Sequence, residues 1–113
     1  MARIYKLLSA EAWRAAESAG RFEGSAVDLA DGFIHFSAAD QLAETARRHF
    51  SGQHDLVCLE VEAGGLPELR WEPSRDGALF PHLYAPLDTS RVIDVWPARL
   101  GPDGVPDVGR AGS

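Results

Sequence analysis

Apolar and polar residues alternate over Arg3-Ile4-Tyr5-Lys6-Leu7, which is the period of a β-strand. The period then changes. Ser9 is placed as a helix N-cap with Glu11 in the first turn, Trp13, Ala16 and Ala12 share one helical face, and Gly20 is a stop. From Gly20 to Asp31, Gly24, Ser25, Asp28 and Asp31 interrupt any periodicity, which predicts a loop. A second strand is expected over Gly32 to Phe36. Ser37 with Asp40 three residues later reads as a capping-box start for a helix through Phe50, in which Leu42, Ala46 and Phe50 form the buried stripe and Arg47 and Arg48 face water. Leu56 to Val61 is nearly continuous in apolar residues, as in a central strand, and Leu69 to Glu72 and Arg91 to Trp96 add two more. Five strands and two main helices predict an α+β domain over residues 1–100. The Gly-, Pro- and Asp-rich stretch Gly101–Ser113 is expected to be a mobile tail.

The chain of 113 residues suits one hydrophobic core, and 45% hydrophobic with 25% charged residues is globular composition. A formal net charge of −6 argues against a broad grip on nucleic acid, which needs clustered Lys and Arg. Cys58 is the sole cysteine and has no intramolecular partner, which fits a reducing compartment. No apolar run approaches the roughly 20 residues that span a bilayer, and Arg3 and Lys6 are not followed by the apolar stretch of a secretion signal. The expected location is the cytoplasm, with no membrane partner.

Histidines stand out among the candidate chemistry. In a strand, the His35 side chain points opposite to those of Ile34 and Phe36 and shares a face with Ser37. It could present imidazole to a ligand, or sit partly buried on a backbone carbonyl. His82 and Tyr84 lie at i and i+2, held extended by Pro81 and Pro86, and either line a cleft or form a rigid surface segment. Trp71 is a core residue or a ligand platform. Glu72, on the opposite face, could orient a ribose hydroxyl or hold Arg75, whose fork suits a phosphate or carboxylate unless Asp76 neutralises it. His49 and His54 read as helix-end and turn residues, and Cys58 as a small core residue. No metal-ligand spacing, nucleophile elbow or phosphate-binding glycine loop is present, so no metal is expected.

Taken in order, Ile4-Tyr5-Lys6, Gly24-Ser25, Asp31-Gly32-Phe33-Ile34-His35-Phe36-Ser37, His49-Phe50, Asp55-Leu56-Val57, Trp71-Glu72-Pro73-Ser74-Arg75 and Leu79-Phe80-Pro81-His82-Leu83-Tyr84 resemble the bacterial domain-of-unknown-function family 952. That family in turn resembles, more distantly, the ADP-ribosyltransferase-like fold, in which a small split sheet, antiparallel or mixed, holds NAD in a cleft. Gly32 to Ser37 is similar to the second-strand motif of RNA 2′-phosphotransferases and to the Gly-Ile-Tyr-Phe segment of poly-ADP-ribose polymerases, with His35 in place of the tyrosine. The first strand departs from the pattern, with Tyr5-Lys6-Leu7-Leu8 where those enzymes carry His or Arg before Gly-Ser or Gly-Thr.

The resemblance implies an NAD-utilising or ADP-ribose-handling enzyme acting at the nicotinamide ribosyl carbon, with NAD as co-substrate. It implies catalytic roles for His35, His82 and Glu72, and cofactor contacts for Ser37, Arg75, Tyr84 and Trp71. The alternative is a non-catalytic module that binds a nucleotide or small metabolite in the same cleft. A thermal-shift response to NAD abolished by His35→Ala and His82→Ala is the expected signature of that cleft.

Overall fold

A computed structural model describes residues 2–74 and 77–109. Its elements run β1 (Arg3–Ser9), α1 (Ala10–Ala19), β2 (Arg21–Phe22), α2 (Ala26–Asp31), β3 (Ile34–His35), β4 (Ser37–Ala38), α3 (Leu42–His49), β5 (Leu56–Glu62), β6 (Leu69–Pro73), β7 (Leu79–Leu83), β8 (Leu87–Asp88) and β9 (Val92–Ala98). The α+β class stands. The strand count does not: nine strands occur among the described residues, several of them two residues long, and they pair in three sheets ordered β4-β1-β5-β9, β2-β8 and β3-β7-β6. Every strand pairing is antiparallel.

Alternation along β1 sends its side chains to two cores. Ile4 and Leu8 join Trp13 and Ala16 of α1, with Leu59 and Val61 of β5, while Tyr5 and Leu7 join Leu42 and Ala46 of α3, with Cys58 and Trp96. The four-stranded sheet is therefore covered on both faces. Leu42, Ala46 and Phe50 are the stripe by which α3 docks, as its spacing predicts, and Arg47 and Arg48 lie exposed on Glu44. Residues 101–109, for which composition suggests mobility, lie against this second core: Val105 and Val108 pack on it, Leu100 bridges Pro106, and Trp96 Nε1 donates to Val108 O at 3.0 Å.

The expected loop from Gly20 to Asp31 instead contains β2 and α2. Ser37 is not a helix cap either. It is buried in β4, where it pairs with Tyr5 and shares a hydrogen bond of 2.9 Å with Thr45, while α3 begins only at Leu42, after Gln41. The backbone passes from the three-stranded to the four-stranded sheet at Phe36, whose N–H donates to Pro81 O at 3.0 Å. That crossing explains how Pro81 can sit in β7, the middle strand of its sheet. In an antiparallel ladder a residue's N and O point to the same side, and on that side the neighbouring chain is already leaving. No helix among the described residues is long and apolar enough to cross a membrane.

Cys58 is fully buried in β5, and burial first, then the charge of Glu60, pushes its thiol up to about 12. At pH 8 a thiol reagent is therefore expected to modify the native protein only at the rate at which it opens, and modification should accelerate with urea. Rapid labelling without denaturant would contradict this placement.

Candidate functional site

The site is built on the short helix α2, which its caps define. The Ser25 side chain accepts from Asp28 N–H at 3.4 Å and Ser25 N–H donates to Asp28 Oδ2 at 2.8 Å, a capping box. Gly24 precedes it at φ 122, and a Cβ there would come within 2.9 Å of Asp28 Cβ, so no larger residue fits without a shift. Gly32 closes the helix at φ 86, donating to Asp28 O at 2.9 Å, and the next residue, Phe33, donates to the same carbonyl at 3.2 Å.

Asp28 is only 2% exposed and gathers the surrounding donors. His35 Nδ1 lies 2.7 Å and His35 N 3.1 Å from its Oδ1, and the Lys6 ammonium approaches to 3.1 Å at Oδ2. Lys6 also donates to His35 O at 2.8 Å. Burial raises the Asp28 carboxyl, but Lys6 and the donors from Ser25 and His35 outweigh it and hold the group below the usual carboxylate range. Burial pulls the Lys6 ammonium down from its ordinary value, with Asp28 opposing. Beneath His35 there is thus a buried ion pair that fixes both its ring and its backbone.

His35 and His82 face each other directly across β3 and β7, with ring centroids 5.5 Å apart, and Arg70 of β6 continues the row. His35 is half-exposed, and its Nε2 meets Asp31 at 3.0 Å. His82 is buried, and its Nδ1 lies 2.8 Å from Glu72 Oε1, to which the Tyr84 hydroxyl also donates at 2.6 Å. Tyr84 first and His82 second keep the Glu72 carboxyl below its usual range, and the same bond with Glu72 raises the Tyr84 phenol. Each histidine therefore has its Nδ1 on a carboxylate. Both nitrogens of His35 face carboxylate oxygens, so whichever nitrogen carries a proton has an acceptor.

Phe33 ties the pairs together. Its ring stacks on His82 at 4.1 Å and leans on His35 at 4.5 Å and Tyr84 at 5.2 Å, and the Arg70 guanidinium lies 5.6 Å from the Tyr84 centroid. Beside Phe33 and Tyr84 is a cleft of about 220 Å³, lined also by Asp28, Leu29, Gly32 and Pro86; His35, His82 and Glu72 do not line it.

The fold thus brings His35, His82, Glu72 and Tyr84 together. Ser37 is turned into the join between β4 and α3, and Trp71 points away from Glu72 on the other face of the sheet. Trp71 is not a core residue; it is 41% exposed opposite Pro81 near the sheet edge. Arg75 lies outside the described residues. Sequence reasoning missed Lys6, Asp28, Asp31 and Phe33 as members of the cluster. The available signal was Ser25-x-x-Asp28, a capping box inside a stretch with no apolar period.

The family model described as Protein of unknown function (DUF952) matches residues 7–95. The crystal structure of protein CC0527 from Caulobacter crescentus is similar over 95% of each chain, at 57% identity and a TM-score of 0.92. The crystal structure of its V27M/L66M double mutant gives 56% identity and 0.92 over the same share of each chain. The solution NMR structure of CC0527 gives 57% and 0.87 over 96% of this chain and 95% of that one. No curated protein matches the chain.

Proposed function

Since the chain belongs to the DUF952 family, its activity has to be argued from the site, and we propose that it acts on NAD or a related ADP-ribosyl donor at the nicotinamide ribosyl carbon. The observation that carries this reading is the pair of facing histidines, each held at Nδ1 by a carboxylate, beside an aromatic wall. The residues suit the nicotinamide riboside end of such a ligand. Phe33 and Tyr84 offer ring faces, Glu72 an ionised carboxylate for ribose hydroxyls, and Arg70 a guanidinium on the same face of the sheet. The ADP-ribosyltransferase-like arrangement belongs to this proposal.

When the bond between C1′ and nicotinamide breaks, its electron pair leaves with the ring and positive charge builds on the ribose. A fixed anion beside the sugar lowers that barrier, and Glu72 is such an anion, aligned by Tyr84 and His82. An acceptor oxygen then bonds to C1′ and gives up its proton. His35 is better placed than His82 to take it, because Asp28 orients Nδ1 from below while Nε2 reaches the half-exposed Asp31, a partner that a ligand can displace. His82 is buried and serves to hold Glu72.

Binding without turnover is the second reading, and the contact between Asp31 and His35 Nε2 favours it, since that nitrogen is already engaged. A thermal-shift titration with NAD, ADP-ribose and nicotinamide, followed by chromatographic assay for released nicotinamide, separates the two. At 100 times its dissociation constant a ligand adds about 2.7 kcal/mol, a shift on the order of 10 °C for a domain of this size. NAD is expected to shift wild type and not His35→Ala, and to be cleaved. A shift without cleavage selects the binding module, and no shift with any of the three ligands removes the NAD reading.

A further inference from the structure

β6 is the outer strand of the β3-β7-β6 sheet, and little of its free edge is open to a partner. Glu68 O accepts from Tyr84 N–H at 3.0 Å and Ser74 N–H donates to Ala78 O at 2.8 Å. Between these two bonds the antiparallel ladder therefore turns Arg70 and Glu72 toward β7, and turns the N–H and C=O of Leu69, Trp71 and Pro73 outward. Leu69 N–H is taken by Leu66 O at 3.2 Å, and Pro73 has no N–H to offer. Within β6, Trp71 alone is left able both to donate and to accept at the edge. Its indole is exposed, as is Leu79 diagonally across on β7, and both lie on the face whose inner residues, Leu69 and Leu83, pack in the first core. On the opposite face Arg70 and Glu72 flank it. Arg70 makes no ion pair or hydrogen bond among the described residues and rests over Tyr84, while Glu72 gives Oε1 to both His82 and Tyr84 and leaves Oε2 without a bond.

We propose that β6 pairs antiparallel with β6 of a second copy of this chain, with Trp71 facing Trp71 across the two-fold axis. In that register the two Trp71 residues exchange both N–H···O bonds, and each Arg70 lies opposite the partner's Glu72. Sliding one strand by two residues keeps two hydrogen bonds but sets Arg70 against Arg70 in one direction and Glu72 against Glu72 in the other. Charge therefore selects the centred register, and it is self-complementary, which points to a copy of this chain rather than to another strand. The pairing consumes the free edge of β6, so assembly closes at a dimer. The apolar face then continues across the axis, with Pro73 opposite the partner's Leu69 beside the two indoles. On the other face the row His35, His82, Arg70 runs on into the partner's Glu72. The partner's Arg70 likewise comes beside Glu72, so the second copy adds a cation to the histidine face. The paired segment is short, which makes the contact weak and concentration-dependent.

Sedimentation equilibrium of the full chain over about 1 μM to 1 mM, the span in which a weak contact dissociates, tests the pairing, and hydrogen exchange at the Trp71 amide locates it. Wild type is expected to pass from monomer to dimer, with the Trp71 amide better protected at the higher concentrations. Arg70→Glu and Glu72→Arg, each verified as folded by its melting curve, bring like charges together at both ends of the pair and should each raise the dissociation constant at least about fourfold. An equimolar mixture of the two restores opposite charges at both places and should form heterodimers about as readily as wild type dimerises. Trp71→Ala alters neither charge and should loosen the dimer by about 2- to 13-fold through loss of the ring pair. A wild type that stays monomeric at about 1 mM overturns the proposal, as does a dimer that Arg70→Glu and Trp71→Ala leave intact. A mixture no more associated than its separate components overturns the register.

Discussion

Asp28→Ala is expected to destabilise the protein by about 3–5 kcal/mol, a large share of the roughly 5–15 kcal/mol that holds a domain together. The substitution leaves the Lys6 ammonium, only 7% exposed, without its carboxylate. It also removes the capping box of α2 and the acceptor for His35 N–H. Denaturant titration measures the loss, and a cost below about 1 kcal/mol would show that the ion pair contributes little. The double variant Lys6→Met/Asp28→Leu should be more stable than Asp28→Ala, because no buried charge is left unpaired. The pH dependence has a definite sign. In the folded chain the Asp28 carboxyl lies below its usual 3.8, so the unfolded chain binds that proton more readily. Its contribution is therefore complete above about pH 5 and is lost as pH falls through 3.8 and on towards the folded value. Asp28→Asn should show a shallower acid limb than wild type.

Glu72→Gln should lower kcat for nicotinamide release by about 10²- to 10³-fold with little change in KM, as expected when an interaction made chiefly in the transition state is removed. The amide oxygen of Gln can still accept from Tyr84, so geometry is largely kept while the charge is lost. Tyr84→Phe and His82→Ala each remove one of the two groups that align Glu72 and should cost less than Glu72→Gln. Single-turnover rates across these variants give the comparison. A Glu72→Gln enzyme within threefold of wild type would rule out the anion role and direct attention to Asp28 and Asp31.

Elements whose side-chain period matches their burial were legible in the sequence. α3 is the clearest case, with Leu42 and Ala46 spaced to meet one face of the sheet, and β5 follows from its unbroken apolar run. Three features were hidden for separate physical reasons. α2 exposes Val27 and Leu29 and is defined by its caps rather than by an apolar stripe, so periodicity could not reveal it. Pro81 reads as a strand breaker, and only the departure of the neighbouring backbone at Phe36 permits it in β7. Ser37 carries the signature of a cap but is claimed by tertiary pairing with Tyr5. At the site, alternation could place His82 with Tyr84 on one face and set Glu72 opposite Trp71, but the joint role of these residues with His35 comes from the family resemblance, because one strand's period says nothing of which face of another it meets. Asp28 and Lys6 could not be nominated, since strand and loop patterns assign charged residues to solvent and their burial depends on each other.

The match to the family spans residues 7–95, but the packing reaches further in both directions. Ile4, Tyr5 and Lys6 lie before it, and Trp96, Ala98 and the Val105–Val108 cover lie after it. The autonomous folding unit is therefore larger than the segment by which its kinship is recognised. A fragment cut to that segment would lack the cation that neutralises Asp28 and the strand end that closes the second core, so losing the first six residues would act on His35 through Asp28.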